Sequence, residues 1–167
     1  MLKIGPIPTG YVARIEGRGT MHESPGFLSF ISTVLQSEPS SSVVLDVMID
    51  LALCRHLDST FLGCVVALHK QFARQHPPRF VVSARDETRR RLLSPTRIDL
   101  ILVLLEADCE SPDDWLEIPR QALEQRDFGL HVLECHRRLA DLGGPEATAF
   151  RRVAEELARD LSRDESS

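Results

Sequence analysis

Apolar positions along the chain alternate between two spacings. Phe27, Phe30, Ile31, Val34 and Leu35 recur at i, i+3, i+4, i+7 and i+8, the stripe of an amphipathic helix. Ser24-Pro25 in front of them reads as an N-cap with proline in the first turn. Before this helix, Tyr11 to Glu16 alternates roughly and reads as a strand ended by Gly17 and Gly19. After it, Val43 to Ile49 is a β-branched run with little alternation, as expected of a central strand covered on both faces. Leu62, Val65, Val66, His69, Phe72 and Ala73 form a second helical stripe, stopped by His76-Pro77-Pro78. Arg79 to Ser83 reads as the next strand, Glu87 to Leu93 as a short helix, and Ile98 to Leu105 as a last apolar strand. Strand and helix therefore alternate, which predicts an α/β fold: a mixed, mostly parallel sheet with helices packed against it.

Beyond Leu105 the texture becomes helical. Ser111-Pro112-Asp113-Asp114 reads as a helix start with acids near the positive end of the dipole. A helical region follows from about residue 120 to 142, weakened by Gly129 and broken by Gly143-Gly144-Pro145. The last helix lines up Phe150, Val153, Ala154, Leu157, Ala158 and Leu161 on one stripe. Two units are expected: residues 1–105, and a C-terminal helical extension, 106–167, folded as a hairpin. Charge divides at the same place. Residues 1–105 carry 12 basic and 9 acidic side chains and residues 106–167 carry 8 and 16, so the net charge of −5 splits into +3 and −8. Neither part is basic or aromatic enough to make nucleic acid a direct partner. At 167 residues the chain suits one well-cored domain with an appendage.

Other composition signals narrow the class. MLKIGPIPTG has no apolar core of a leader, and the longest apolar run, LILVLL, is far short of the roughly 18 residues that cross a bilayer. A cytoplasmic protein that does not enter the membrane is expected. Cys54, Cys64, Cys109 and Cys135 contain no CxxC pair and no regular spacing, so reduced, mostly buried thiols are expected.

The stretch HLDSTFLG, residues 56–63, carries the most chemistry. Asp58 falls where a loop meets a helix and can cap its first free N–H groups, leaving Ser59 and Thr60 in the first turn. Asp, Ser and Thr are ordinary residues for a helix start, and capping alone accounts for them. The same position suits regulation. A phosphoryl group on Ser59 would lie against the positive end of the helix and add about two negative charges beside Asp58, enough to repel a docked partner.

VVLDVMIDLALCRHLDSTFLG, with YVARIEGRGTMHESPGFLSF before it and RFVVSARDETRRRLLSPTRIDLIL after it, resembles the STAS domain of bacterial anti-sigma-factor antagonists over roughly residues 10–105. Gly17 matches the glycine after the family's first main strand, and Asp58, Ser59, Thr60, Leu62 and Gly63 match its Asp-Ser-Ser/Thr-Gly-Leu-Gly turn. Phe61 replaces the usual glycine after the hydroxyl pair, and Thr20 replaces an acidic residue three positions after the early glycine. The ring of Phe61 either buries inward or narrows a kinase's approach to Ser59. The resemblance implies partner switching without catalysis. The unphosphorylated protein would bind an anti-sigma factor that is also a serine kinase; phosphorylation at Ser59, or more weakly Thr60, would release it, and a phosphatase would reset it. Asp58 would orient the turn, and Phe61, Leu62 and Gly63 would border the partner surface. No metal and no cofactor is implied. The alternative is a non-phosphorylated scaffold or adaptor of the same fold that self-assembles, as a homodimer, through the C-terminal helices.

Other constellations are weaker. Gly17-Arg18-Gly19-Thr20 lacks the Lys-Ser/Thr of a phosphate loop, and neither GxSxG nor a metalloprotease pair occurs. His131 and Cys135 have i, i+4 spacing that metals can use, with His136 beside them, although a partly buried helix face explains all three. Asp108, Glu110, Asp113 and Asp114 resemble a cation loop only in composition. Arg85, Arg89, Arg90 and Arg91 read as a solvated helix face or as a contact for an acidic partner.

Overall fold

The computed structural model describes residues 1–36, 47–72, 78–107 and 109–164. The chain opens with a hairpin, β1 (Leu2–Ile7) and β2 (Gly10–Ile15), paired from Leu2↔Ile15 to Ile7↔Gly10. There follow β3 (Gly17–Gly19), α1 (Ser24–Gln36), β4 (Val47–Asp50), β5 (Cys54–Leu57) and α2 (Ser59–Phe72). Then come β6 (Phe80–Ser83), α3 (Asp86–Leu92), β7 (Leu104–Leu105), β8 (Leu116–Glu117), α4 (Gln125–Ala140) and α5 (Ala147–Asp164). The main sheet has the order β7-β6-β4-β2-β1-β8; β2, β4, β6 and β7 run parallel, and β1 and β8 are antiparallel to their neighbours. The described residues form a mixed α/β fold with a mostly parallel sheet and five α-helices.

A second, two-stranded sheet places the HLDSTFLG turn. Gly17 has φ 78, a left-handed conformation that costs little without a Cβ. There the chain leaves β2 and enters β3, which pairs in parallel with β5. From the other side, Asp50 ends β4 with its carboxylate on Arg14 Nε at 2.7 Å and on the Ala52 amide at 2.9 Å, and the chain turns out of the main sheet into β5. The Asp58 amide then donates to the Gly19 carbonyl at 3.1 Å, and α2 begins.

The core lies between the sheet and helices α1 and α2. Phe27, Ile31 and Leu35 of α1, Phe61 and Leu68 of α2, and Ile15, Ile49 and Phe80 of the sheet are fully buried. Removing each such side chain from water contributes about 1.5–3 kcal/mol. Cys135 and Leu139 of α4 belong to the same buried cluster, because α4 packs on α2; α5 packs on α4. Ala154 is buried, and Leu157 and Leu161 are half-buried.

Three expectations change. Ser24 lies inside α1 instead of capping it: its hydroxyl donates to the Met21 carbonyl at 3.0 Å, and the preceding turn is tied by Thr20, whose amide and hydroxyl both donate to the Glu23 carboxylate. The apolar run 98–105 is mostly not a strand. Residues 94–100 form two short 3-10 turns, fixed by Ser94 Oγ on the Asp99 carboxylate at 2.6 Å and by left-handed Arg97, and only Leu104–Leu105 joins the sheet. An unbroken apolar run does not distinguish a buried strand from buried turns. Residues 111–114 start no helix; they lead into β8, which pairs with β1. β1 itself has a weak strand pattern because Gly5 and Pro6 interrupt its alternation. Most of the expected strand 43–49 falls in residues outside the description, with β4 at its end.

Candidate functional site

Asp58 caps α2 as its residue type requires. One carboxylate oxygen accepts the Phe61 amide at 2.9 Å and the other accepts the Met21 amide at 2.6 Å, so a single side chain satisfies a free helix N–H and ties the turn to the segment before α1. Ser59, the first helical residue, is half-buried; Thr60 behind it is 3% exposed. Phe61 is 0% exposed, with its ring 4.6 Å from that of Phe27, and Leu62 is 3% exposed. The side chains expected to border a partner surface therefore face the core. The aromatic ring fills the interior beneath the turn and leaves the approach to Ser59 clear of itself.

What covers Ser59 is α4. Ser59 Oγ lies 2.9 Å from His136 Nε2, and His136 Nδ1 lies 2.9 Å from the Val132 carbonyl. A carbonyl can only accept, so Nδ1 carries a proton, and in the tautomer with its single proton there Nε2 accepts the Ser59 hydroxyl. Phe150 of α5 meets the His136 ring edge-on at 6.1 Å and braces it from behind. Gly63 makes the close approach possible, since a Cβ there would sit 2.5 Å from the Cβ of Cys135 and 2.6 Å from its Cα. The same segment is held at its start by Arg120, 2.6 Å from the Glu23 carboxylate, and by Phe128 stacked on His22 at 5.9 Å. Burial by itself would raise the Glu23 carboxyl, but the Thr20 donors and the Arg120 guanidinium outweigh it and hold it below the ordinary value.

One turn further along α2, Cys64 meets α4 at Cys135 and His131. Burial pushes the Cys64 thiol well above the usual range, reinforced by Cys135. The Cys135 thiol is held lower by its hydrogen bond with Cys64, against burial and with help from Arg138. Burial, with Arg138 nearby, lowers His131. His136 and Cys64 were the residues that sequence patterns did not join to the turn. Their partners lie 77 and 71 positions away, and the available sign was a glycine in mid-helix, a mark of close helix contact.

The remaining candidates resolve locally. Gly17 to Gly19 is strand β3, not a phosphate loop. Arg89 and Arg90 pair with Asp86 of their own helix at 2.6 and 2.7 Å, and Arg91 donates to the Cys54 carbonyl at 3.0 Å. Asp108 lies outside the described residues. Among the described residues, no helix is long and apolar enough to cross a membrane.

No protein-family model matches the chain, and no curated protein sequence does. Among solved structures it is similar to the crystal structure of an anti-sigma factor antagonist from Mycobacterium paratuberculosis, with 21% sequence identity over 64% of this chain and 86% of that one and a TM-score of 0.51. The likeness is one of fold: the chain has a STAS-like α/β architecture.

Proposed function

We propose that the chain is a signalling protein of the anti-sigma-factor-antagonist type, which binds an anti-sigma factor with serine-kinase activity and is released by phosphorylation at Ser59. It would act as a binding surface and kinase substrate, not an enzyme, with a phosphatase restoring the unmodified form. The observation that carries this reading is the position of the Ser59 hydroxyl: first residue of α2, oriented by the Asp58 cap, on a fold shared with an antagonist of this kind. Thr60 is too deeply buried to be a comparable acceptor.

In this reading residues 106–167 act on residues 1–105 as a cover. A phosphoryl group cannot fit between Ser59 Oγ and His136 Nε2 at 2.9 Å, so modification requires α4 to withdraw. Withdrawal would also uncover Gly63, the part of the turn that α4 now fills. Phosphopeptide mass spectrometry of residues 56–70, on protein isolated from its own cells under growth and stress, tests the proposal. Phosphate on Ser59 that varies with condition supports the switch; full coverage with no phosphate in any condition removes it. His136→Ala should speed phosphorylation of Ser59 by the partner kinase, whereas equal rates would mean that α4 is no cover.

The engagement of the Ser59 hydroxyl by His136 also favours a second reading, a non-phosphorylated scaffold that assembles through its C-terminal helices. Ser59→Asp separates the two. The switch loses its partner, and the scaffold assembles as wild type does.

A further inference from the structure

The interface of α2 and α4 brings together two thiols and an imidazole. Cys64 Sγ lies 3.6 Å from Cys135 Sγ and 3.7 Å from His131 Nε2, and all three donor atoms fall within 4.8 Å of one another. His131 and Cys135 are one turn apart on the same face of α4; Cys64 faces them from α2, directly after the glycine that lets the two backbones approach. We propose that Cys64, Cys135 and His131 form a zinc site that fastens α4 to α2 in the form in which α4 covers the unmodified Ser59; the site does not depend on Ser59 being a phosphoacceptor.

Two edges of the cluster have the lengths of a tetrahedral site, and the third, Cys135 Sγ to His131 Nε2, lies within 4.8 Å. With zinc–sulfur bonds of about 2.3 Å and zinc–nitrogen bonds of about 2.0–2.1 Å, neighbouring ligand atoms stand about 3.8 Å apart for two sulfurs and about 3.5 Å for sulfur and nitrogen. The Cys64–Cys135 and Cys64–His131 distances agree with these separations to within about 0.2 Å, the tolerance expected of a built site. Thiolate and imidazole are also the donors that borderline-soft zinc prefers, while magnesium and calcium take oxygen ligands. Ser24, whose side chain is fully buried, lies beside the cluster with its hydroxyl 2.7 Å from His131 Nε2. Its proton lies on the Met21 carbonyl, so the oxygen's lone pairs are free to accept from a metal-bound water at the fourth position. Cys54 and Cys109 lie elsewhere and take no part in the cluster.

Zinc content is tested on the full-length, untagged chain purified under reducing conditions, first by elemental analysis and then by titrating the stripped protein with zinc against a chromophoric chelator. One equivalent per chain is expected, with at least tenfold weaker binding in Cys64→Ser, Cys135→Ser and His131→Gln and no change in Cys109→Ser. Cobalt substitution of the wild type needs no variant to fold: thiolate-to-cobalt charge transfer with tetrahedral d–d bands supports the site. Absence of stoichiometric binding, an octahedral cobalt spectrum, or full affinity in Cys64→Ser overturns it, and the cluster is then a hydrogen-bonded thiol pair.

Discussion

Substituting Gly63 by alanine pits helix propensity against the seat of α4. In an isolated helix the change would gain about 1 kcal/mol. Here the new methyl carbon meets Cys135 at 2.5 Å from its Cβ, 2.6 Å from its Cα and 2.7 Å from its carbonyl oxygen. Two of these are backbone atoms, which cannot rotate aside, and carbon–carbon contacts are optimal at about 3.5–4.0 Å, so α4 must retreat by about 1 Å. Overpacking of a close contact costs about 1–3 kcal/mol, and the upper end applies because a whole helix moves. That movement also stretches the Ser59–His136 hydrogen bond, a further loss of about 1 kcal/mol. The net expectation is a destabilisation of about 2–3 kcal/mol, which for a chain of this size lowers Tm by about 4–12 °C. Urea unfolding of Gly63→Ala gives the value, and hydrogen exchange should show faster opening of α4. Gly129→Ala is the control: its Cβ would meet only the flexible end of Leu161, at 2.9 Å, so propensity should prevail and leave it neutral or more stable. A Gly63→Ala protein as stable as the wild type would refute the close seating of α4 on α2.

The other predictions concern the turn and its support. Asp58→Ala should cost about 1–2 kcal/mol in urea unfolding through loss of the α2 cap, with Asp58→Asn milder because an amide oxygen still accepts the Phe61 amide. Phe61→Ala should cost about 3–5 kcal/mol, since the ring is fully buried against Phe27; a loss below 1 kcal/mol would place the ring at the surface. Glu23 titrates below its ordinary value in the folded chain, so its contribution is present above the unfolded pKa of about 4.3 and disappears as pH falls through the lower folded value. Glu23→Gln should therefore flatten the stability profile below about pH 4.5, and an unchanged acid limb would mean that the Thr20 and Arg120 contacts are not made in solution.

The parts of this fold legible in the sequence are those whose cause is local. The stripes of α1 and α2, the strand read at residues 79–83 and the Asp58 cap each follow from residues within a few positions of one another, and each sits where its pattern places it. β1 escaped because Gly5 and Pro6 interrupt its alternation, and β8 because it pairs with β1 across more than a hundred residues and a two-residue strand such as Leu116–Glu117 has no period to detect. The end of the 94–105 segment failed for the opposite reason: its apolar content is real, since Ile98 is fully buried, but one polar pair, Ser94 with Asp99, decides that it turns. The site divides along the same line. Asp58 and Ser59 could be named from the turn itself, whereas Gly63 satisfies two descriptions at once. Read along the chain, it completes a motif associated with docking; in the folded molecule, it is the gap into which the backbone of α4 fits. A glycine in mid-helix implies that something approaches closely, without saying whether the visitor is another protein or the same chain. Here α4 occupies the place, and His136 takes the Ser59 hydroxyl with it. In the proposed reading, access to the turn is an intramolecular equilibrium: the affinity of a partner or kinase that needs this surface is reduced to the fraction of time α4 is withdrawn. A change that loosens α4 without touching the turn, such as His136→Ala, should strengthen such binding even as it weakens the fold.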